Sequence, residues 1–469
     1  MNRLLSTYFI LSALAVPQAN AQETQDSPTF ANDFDIRVNP ELDNVMCDSL
    51  PQFAPGDYSA FPFIDTAGNR IDMNGADWSR LRQRLSEGML LPGMPFSIVH
   101  IGDSHIQADG ATGITRKMFQ ERYGNAGRGL VIPLKMAGTN EPRDYKITST
   151  SKGWQTARLM KTPWMSEMQF TGVSITPGTH TFNLSVGLLT RTLEINPFNT
   201  IRLFHTGSPL TVKAVESRGD MMRFSTSIGS GYTDIYLDKP VTDVTLDMSC
   251  TGGKAHIGGL ALYNGQPGIV YSTIGNNGAA YMSYNSIGSI GAGIRPLQPD
   301  LVVISLGANE AFGNVTDSQF RQSINAFVED IRQENPNAGI LLVTPMECQR
   351  RTSSRTGKGR KRRRTTTYSV NTDIKRLRDV IIQYGKDNHI PVYDLYGVAG
   401  GTGASGKWID NSLMGRDRIH NTWEGYDLQG RLFYDALSEC LENMPPPPLP
   451  LPIVPEGQDT GQIHSQKPL

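Results

Sequence analysis

In both end regions of the chain, segments with the apolar spacing of a helix alternate with segments typical of a buried strand. Helical spacing around Leu81 precedes a mainly apolar run at 96–101, which predicts a buried strand, and a second helix is predicted near Ile114. After residue 265 the rhythm returns, with apolar strands and amphipathic helices predicted at 301–306, 320–331, 340–343, 374–384, 391–395 and 428–441. Strands that alternate with helices indicate an α/β domain with a mostly parallel sheet covered on both faces.

The middle of the chain has a different pattern. Between 144 and 265, seven short β-prone runs are separated by turn residues, and no helical periodicity is convincing. The runs lie at 168–175, 180–186, 200–205, 211–215, 234–237, 244–248 and 256–262. This pattern is typical of a β-sandwich. We therefore expect a β-sandwich module inserted into a single α/β domain.

These patterns divide the chain into six predicted parts. They are a signal peptide at 1–21, an irregular lead-in at 22–75, two parts of the α/β domain at 76–143 and 266–444, the insert at 144–265, and a Pro-rich tail at 445–469 that should be disordered.

The first residues have the pattern of a secretory signal. Arg3 provides a positive charge, residues 4–16 are mostly apolar, and small residues at Ala19 and Ala21 form a cleavage site. The expected location is therefore secreted or periplasmic, with cleavage after Ala21. An uncleaved membrane anchor is the alternative, although the run is short for one. No later stretch is apolar enough to predict a transmembrane anchor.

Composition excludes some functions and leaves other questions open. A formal net charge of −1 over 469 residues argues against a nucleic-acid binder. The cysteines at 47, 250, 348 and 440 lack zinc-site spacing, and they are either disulfide-bonded or buried free thiols. Residues 350–364 contain nine Lys or Arg and no acid. We interpret that run as a solvated, disordered loop, with contact to an anionic glycan or lipid surface as the alternative.

Ser104 is the candidate nucleophile. It follows the predicted strand at 96–101, in the segment Gly102-Asp103-Ser104-His105. Sites in α/β proteins form where strands end, and the next helix would direct its positive dipole toward the serine. A serine nucleophile needs a base and a group that orients the base. Asp417 and His420, spaced Asp-x-x-His before the last helix, could supply both from one loop.

The same reaction needs hydrogen-bond donors for a developing oxyanion. Asn309 lies just beyond the predicted strand at 301–306, and its side-chain amide could point into the site. Gly278 could offer its backbone N–H as a second donor, and Ser104 could offer its own backbone N–H as a third. Gly275 is an alternative to Gly278.

Taken together, these four segments resemble the sequence blocks of the SGNH/GDSL hydrolase superfamily. The resemblance implies a flavodoxin-like three-layer fold, with Ser104, Asp417 and His420 as catalytic residues and Ser104, Gly278 and Asn309 as the oxyanion hole. Glu310 departs from the pattern, since many members have Asp after the Asn. The long insert, with residues 123–130 and 260–265, is similar to that of peptidoglycan O-acetylesterases, which carry a carbohydrate-binding-like β-module there.

The sequence therefore predicts an exported esterase acting on O-acetyl groups of a cell-wall or extracellular glycan, with no metal or organic cofactor. An O-acyltransferase with the same triad is one alternative. Another is an inactive glycan-binding protein that uses exposed aromatic residues such as Trp154 or Trp164. The sugar, the acyl group and the oligomeric state are left open.

Overall fold

The computed structural model describes residues 56–189, 197–356 and 363–444. The predicted signal peptide, Cys47 and the Pro-rich tail lie outside these residues. In chain order, the described strands are β1 Ile71–Asp72, β2 Phe96–Gly102, β3 Gly129–Val131, β4 Tyr145–Thr148, β5 Gln155–Arg158, β6 Val173–Thr176, β7 Thr181–Leu188, β8 Phe198–Gly207, β9 Leu210–Ser217, β10 Asp220–Met221, β11 Phe224–Gly229, β12 Tyr232–Val241, β13 Asp243–Cys250, β14 Ala255–Tyr263, β15 Ile269–Gly275, β16 Leu301–Ser305, β17 Gly339–Val343, β18 Gln349–Thr356, β19 Arg363–Val370 and β20 Val392–Tyr393.

The described helices are α1 Ser79–Leu90, α2 Ser104–Gln107, α3 Gly110–Tyr123, α4 Tyr281–Tyr284, α5 Ile290–Ile294, α6 Asp317–Glu334, α7 Thr372–Asp387, α8 Leu395–Val398, α9 Ala404–Asp410 and α10 Trp423–Asn443. Two 3₁₀ turns, at Arg295–Leu297 and Glu310–Phe312, complete them. No helix in the described ranges is long and apolar enough to cross a membrane.

A six-stranded sheet forms the centre of the α/β part, in the order β1-β20-β17-β16-β2-β15. Every pair is parallel except β1 with β20. Strand β2 is buried along its whole length, as its apolar run predicts. Ile98 packs in a cluster with α1 and α10, whereas Val99 packs on the other face with α6 and α7. The predicted parallel sheet covered on both faces is therefore confirmed.

Side-chain caps fix the residues at which helices α6 and α10 begin. Thr316 caps α6 by accepting from Gln319 N, while the Gln319 side chain accepts from Thr316 N, a reciprocal capping box. Thr422 caps α10 in a similar way by accepting from Gly425 N. That helix therefore begins at Trp423, five residues earlier than predicted, directly after the Asp-x-x-His segment.

The described residues between 145 and 263 form two antiparallel sheets. One has the order β10-β9-β13-β7-β4, and the other β11-β12-β8-β14-β6-β5, with β3 paired to β14. One hydrophobic cluster contains residues from both sheets, among them Leu184 and Leu246 of the first and Ile201 and Leu203 of the second. Because β3 precedes residue 144, the second sheet includes chain from both sides of that predicted boundary.

Strand β14 is buried on both of its faces. Leu260 and Leu262 lie in the cluster between the two antiparallel sheets, whereas Ala261 lies in the α/β core with Ile274 and Ile304. Successive side chains of a strand point to opposite faces, so the three consecutive positions 260–262 all carry apolar residues. The β-rich part and the α/β part therefore share a core.

Three expectations need comment. The lead-in is mostly irregular where it is described, but it contributes strand β1 to the central sheet, and its Tyr58, Ile64 and Ile71 are buried against the α/β core. The basic run at 350–364 is not a disordered loop where it is described, because β18 and β19 pair as an antiparallel hairpin. Of the cysteines, the three within the described residues are free.

Candidate active site

The predicted site residues lie where strands of the central sheet end. Strand β2 ends at Gly102, and Asp103 then caps the short helix α2 by accepting from His105 N at 2.9 Å. A Cβ on Gly102 would lie 2.7 Å from Ser305 O, so only glycine allows the strands to approach this closely at the turn. Ser104 is the first residue of α2, so its N–H has no intrahelical acceptor.

Ser104, His420 and Asp417 form a continuous hydrogen-bonded chain. His420 Nε2 lies 2.8 Å from Ser104 Oγ, and His420 Nδ1 lies 2.6 Å from Asp417 Oδ2. The other carboxylate oxygen of Asp417 accepts from Ile419 N and His420 N, each at 3.1 Å. A carboxylate at Nδ1 favours the tautomer protonated there, which leaves Nε2 free to accept the Ser104 proton.

The electrostatics of this chain combine a strengthened base with an ionised acid. The hydrogen bond to Asp417 raises the pKa of His420 above its usual value despite the opposing effect of burial. Partial burial would raise the pKa of Asp417, but its hydrogen bonds to His420 and to two backbone N–H groups hold that pKa well below its usual range. Asp417 therefore remains a carboxylate across physiological pH.

A second histidine lies behind the first. The ring of His105 is centred 5.1 Å from that of His420, and its Nδ1 lies 3.1 Å from the Tyr426 hydroxyl. Burial lowers the pKa of His105 to about 3. His105 is therefore neutral beside the base, and it places no competing positive charge there.

The two candidate oxyanion glycines have different environments. Gly275 lies in β15 against α2, and a Cβ there would come within 2.2 Å of Gln107 N, so glycine is needed for close packing. Gly278 has a φ of +82°, and a Cβ there would meet only Met160 Cγ, at 3.9 Å. Within the described residues its N–H has no acceptor. The geometry thus favours Gly278 over Gly275 as a free donor.

Asn309 joins the nucleophile turn to the loop of Gly278. Its side-chain nitrogen donates to Ala279 O at 2.9 Å and lies 3.3 Å from Asp103 Oδ2, one residue before Ser104. The next residue, Glu310, accepts from Tyr281 N at 2.8 Å. Burial raises the pKa of Glu310 to about 7. Glu310 therefore helps to fix the Gly278 loop, although it departs from the superfamily pattern.

Sequence reasoning missed Gln107, which supports the same loop. Its Oε1 accepts from Asn277 N at 2.7 Å, and its Nε2 donates to Asn140 O at 2.8 Å. Gln107 lies three residues after Ser104, about one helical turn, and this spacing was the available signal.

Other predicted residues lie away from this chain of contacts. Trp154 and Trp164 are half-buried rather than exposed, and Trp154 packs edge-on against Phe182 with ring centroids 5.6 Å apart. The expectation of exposed aromatic platforms at these positions is therefore wrong, because both rings fill hydrophobic clusters. No group of three or more His, Cys, Asp or Glu within the described ranges has the arrangement of a metal site.

Comparison with known proteins supports an ester hydrolase. Residues 255–428 match the GDSL-like lipase/acylhydrolase family, and this range contains Gly278, Asn309, Asp417 and His420. A solved peptidoglycan O-acetylesterase is 20% identical, with 79% of this chain and 97% of that chain covered and a TM-score of 0.62. A search of proteins with curated functions finds no match.

More distant similarities involve a smaller part of the chain. A lipase/acylhydrolase from Enterococcus faecalis is 24% identical over 37% of this chain and 77% of its own, with a TM-score of 0.27. An acetylxylan esterase from Geobacillus stearothermophilus is 16% identical over 36% and 73%, with a TM-score of 0.26. The family match and the shared fold show that the chain resembles the SGNH/GDSL superfamily of ester hydrolases.

Proposed function

We propose that this protein is an exported serine esterase that removes O-acetyl groups from a cell-wall or extracellular glycan. The observation that carries the proposal is the hydrogen-bonded chain from Ser104 Oγ through His420 to Asp417, with distances of 2.8 and 2.6 Å. A nucleophile, a base and an orienting carboxylate in this geometry are the minimum set for acyl transfer through a serine ester.

The proposed reaction has two halves. Ser104 attacks the acyl carbon while His420 Nε2 takes its proton, and Asp417 stabilises the imidazolium that forms. The N–H groups of Ser104 and Gly278, with the Asn309 amide, bind the oxyanion. His420 then gives this proton to the sugar oxygen as the bond from that oxygen to the acyl carbon breaks, so the sugar leaves with a free hydroxyl. Water activated by His420 attacks the acyl-enzyme, which releases acetate and restores Ser104.

A glycan substrate and export have separate support. The solved relative with the shared fold is named a peptidoglycan O-acetylesterase. We propose that the two antiparallel sheets are an inserted β-sandwich module beside the active site, which binds the polymer remote from the reacting carbonyl. The residue pattern at 1–21 supports export to the periplasm or the cell exterior.

The direct test is acetate release from O-acetylated peptidoglycan and from p-nitrophenyl acetate, with Ser104→Ala as the matched inactive control. We expect the wild-type protein to act on both and the variant on neither. Acetate transferred to an added alcohol instead of water would indicate an acyltransferase. No acetate released from either substrate would reject the esterase.

The role of the module needs its own test. Substitutions at exposed positions of the antiparallel sheets, such as Ile228→Ser and Met221→Ser, are screened for unchanged thermal stability. If the module binds polymer, some surface variants lower activity on the glycan and spare p-nitrophenyl acetate. If every such variant affects both substrates equally, or neither, the module is a structural lid.

A further inference from the structure

The loop that carries His420 is open to solvent, yet it must hold its histidine accurately. The side chains of His420 and Asp417 retain 40% and 50% of their accessible surface. Within the loop, Gly415 N donates to His420 O at 2.7 Å, and Arg418 N donates to Gly415 O at 2.9 Å. Such a short exposed turn has little apolar packing, so contacts from outside the loop are needed to fix it.

Arg418 provides these outside contacts. It lies between the two catalytic candidates with a φ of +60°, a conformation that a side-chain-bearing residue adopts only when its surroundings hold it. Its carbonyl accepts from Gln349 N at 2.9 Å, and its Nη1 donates to Gln349 Oε1 at 2.9 Å. Its guanidinium carbon lies 4.0 Å from the centroid of the Tyr368 ring. Gln349 and Tyr368 belong to the two strands of the hairpin formed by β18 and β19.

The next residue of the same hairpin reaches the oxyanion side of the site. Arg350 donates to Asn371 Oδ1 at 2.8 Å and to Asp373 Oδ2 at 2.9 Å. It also donates to Ala311 O, which accepts from Asn371 Nδ2 as well. Ala311 lies two residues after Asn309. Successive residues of a strand point to opposite sides, so Gln349 and Arg350 can hold two different loops at once.

We propose that this hairpin is a brace that sets the position of His420 relative to the oxyanion donors, with Arg418 as its positioning residue on the base loop. Arg418 does not touch the reacting atoms, and it acts through the position of His420. The inference rests on the proposed hydrolysis. Small displacements of a catalytic group are expensive, since a shift of about 1 Å can cost on the order of 10²-fold in rate.

Arg418→Ala and Tyr368→Ala test the brace, with p-nitrophenyl acetate as substrate. We expect each to lower kcat by on the order of tenfold or more with KM unchanged, because the small ester does not contact either residue. Tyr368→Phe retains the ring under the guanidinium and should restore kcat to near the wild-type value. The double variant Arg418→Ala/Tyr368→Ala should lower kcat about as much as the more harmful single variant, since both substitutions remove the same contact between Arg418 and Tyr368.

Arg416→Ala is the matched control, because it removes the same charge from an exposed position of the same loop and leaves the brace intact. It should retain the wild-type kcat. If Arg418→Ala does not fold, Tyr368→Ala alone decides, since Tyr368 lies on the outer hairpin. The brace is wrong if folded Tyr368→Ala retains the wild-type kcat, if the loss is in KM, or if Arg416→Ala loses as much. An inactive wild-type protein would instead reject the proposed hydrolysis itself.

Discussion

Two groups of ionisable residues in this molecule differ in their exposure to solvent and in the number of partners that each side chain has. Asp417 and His420 form one hydrogen-bonded acid–base pair at the surface, with about half of each side chain exposed. Asp109, Arg116, Arg128 and Asp144 form a sealed cluster in which every side chain is at most 8% exposed. The surface pair must remain accessible to substrate and water, whereas the sealed cluster never meets either.

Burial decides how many partners each group needs. Arg128 contacts Asp144 at 2.5 Å and Asp109 at 3.0 Å, and Arg116 contacts the same two carboxylates at 3.0 and 2.6 Å. Burial would raise the pKa of Asp144, but Arg128 and Arg116 more than offset it and hold that pKa below its usual value. The difference predicts that changes in the surface pair affect rate, and changes in the sealed cluster affect folding.

The largest expected effect is on catalysis. Ser104→Ala and His420→Ala should each lower kcat by on the order of 10³ or more, because either change removes the proton-transfer chain. Thermal unfolding should be nearly unchanged, since neither side chain is fully buried. Steady-state kinetics and calorimetry on the same samples check both parts. Near-wild-type turnover in either variant would remove the proposed mechanism.

The sealed cluster should give the opposite result. Asp144→Ala leaves two buried guanidinium groups short of a partner and should cost about 3–5 kcal/mol of unfolding free energy. Asp243→Ala is the contrasting variant, because it breaks an exposed pair with Arg218, whose side chain is 72% exposed. That change should cost about 0–1 kcal/mol. Urea unfolding measures both, and equal losses would contradict the comparison.

Asn309→Ala extends the comparison to the oxyanion donors. It should lower kcat by on the order of 10²–10³ with little change in KM, because the amide acts mainly on the transition state. Asn309→Asp tests the sign of the charge, since a carboxylate beside an oxyanion should be at least as harmful. An effect confined to KM would make Asn309 a binding residue.

The smallest expected effect is on pH dependence. Asp417 raises the pKa of His420, and Asp103 adds to this, so the base loses activity as pH falls through a value above its usual one. Asp417→Asn should move this acid limb of kcat/KM to lower pH while it also lowers the rate. The profile with p-nitrophenyl acetate at constant ionic strength measures both. An acid limb that stays in place would show that Asp417 does not set the pKa of His420.

The elements that the sequence predicted well are those whose side chains face one continuous core. The apolar runs of β2 and β16 predicted buried strands, and the helical spacing at 320–331 predicted α6. Strand β15 was missed because it contains Ser272 and Thr273, although Ser272 Oγ is satisfied by accepting from Leu130 N. A search for apolar periodicity does not detect a buried strand that contains polar residues when the hydrogen-bond partners of those residues are distant in sequence.

The hairpin of β18 and β19 was misinterpreted for a related reason. Apart from Tyr368 and Val370, its residues with described side chains are polar, so no apolar alternation indicates a strand. Contacts such as that of Arg418 with Tyr368 can be recognised only after folding. At the site, sequence order predicted Ser104, Asp417 and His420, and the structure brings them together. Their catalytic roles remain predictions, and the choice between Gly275 and Gly278 required the backbone geometry.

Strand β14 also has a thermodynamic consequence. Leu260 and Leu262 face one hydrophobic cluster, while Ala261, between them, faces another. Melting either part alone would expose one side of this strand, at about 1.5–3 kcal/mol for each fully buried leucine. The two parts are therefore energetically coupled, and heating should give a single cooperative transition in place of two separate melts. Removing the antiparallel sheets would expose the hydrophobic surface that they cover. The shortened chain would therefore not be a stable minimal esterase.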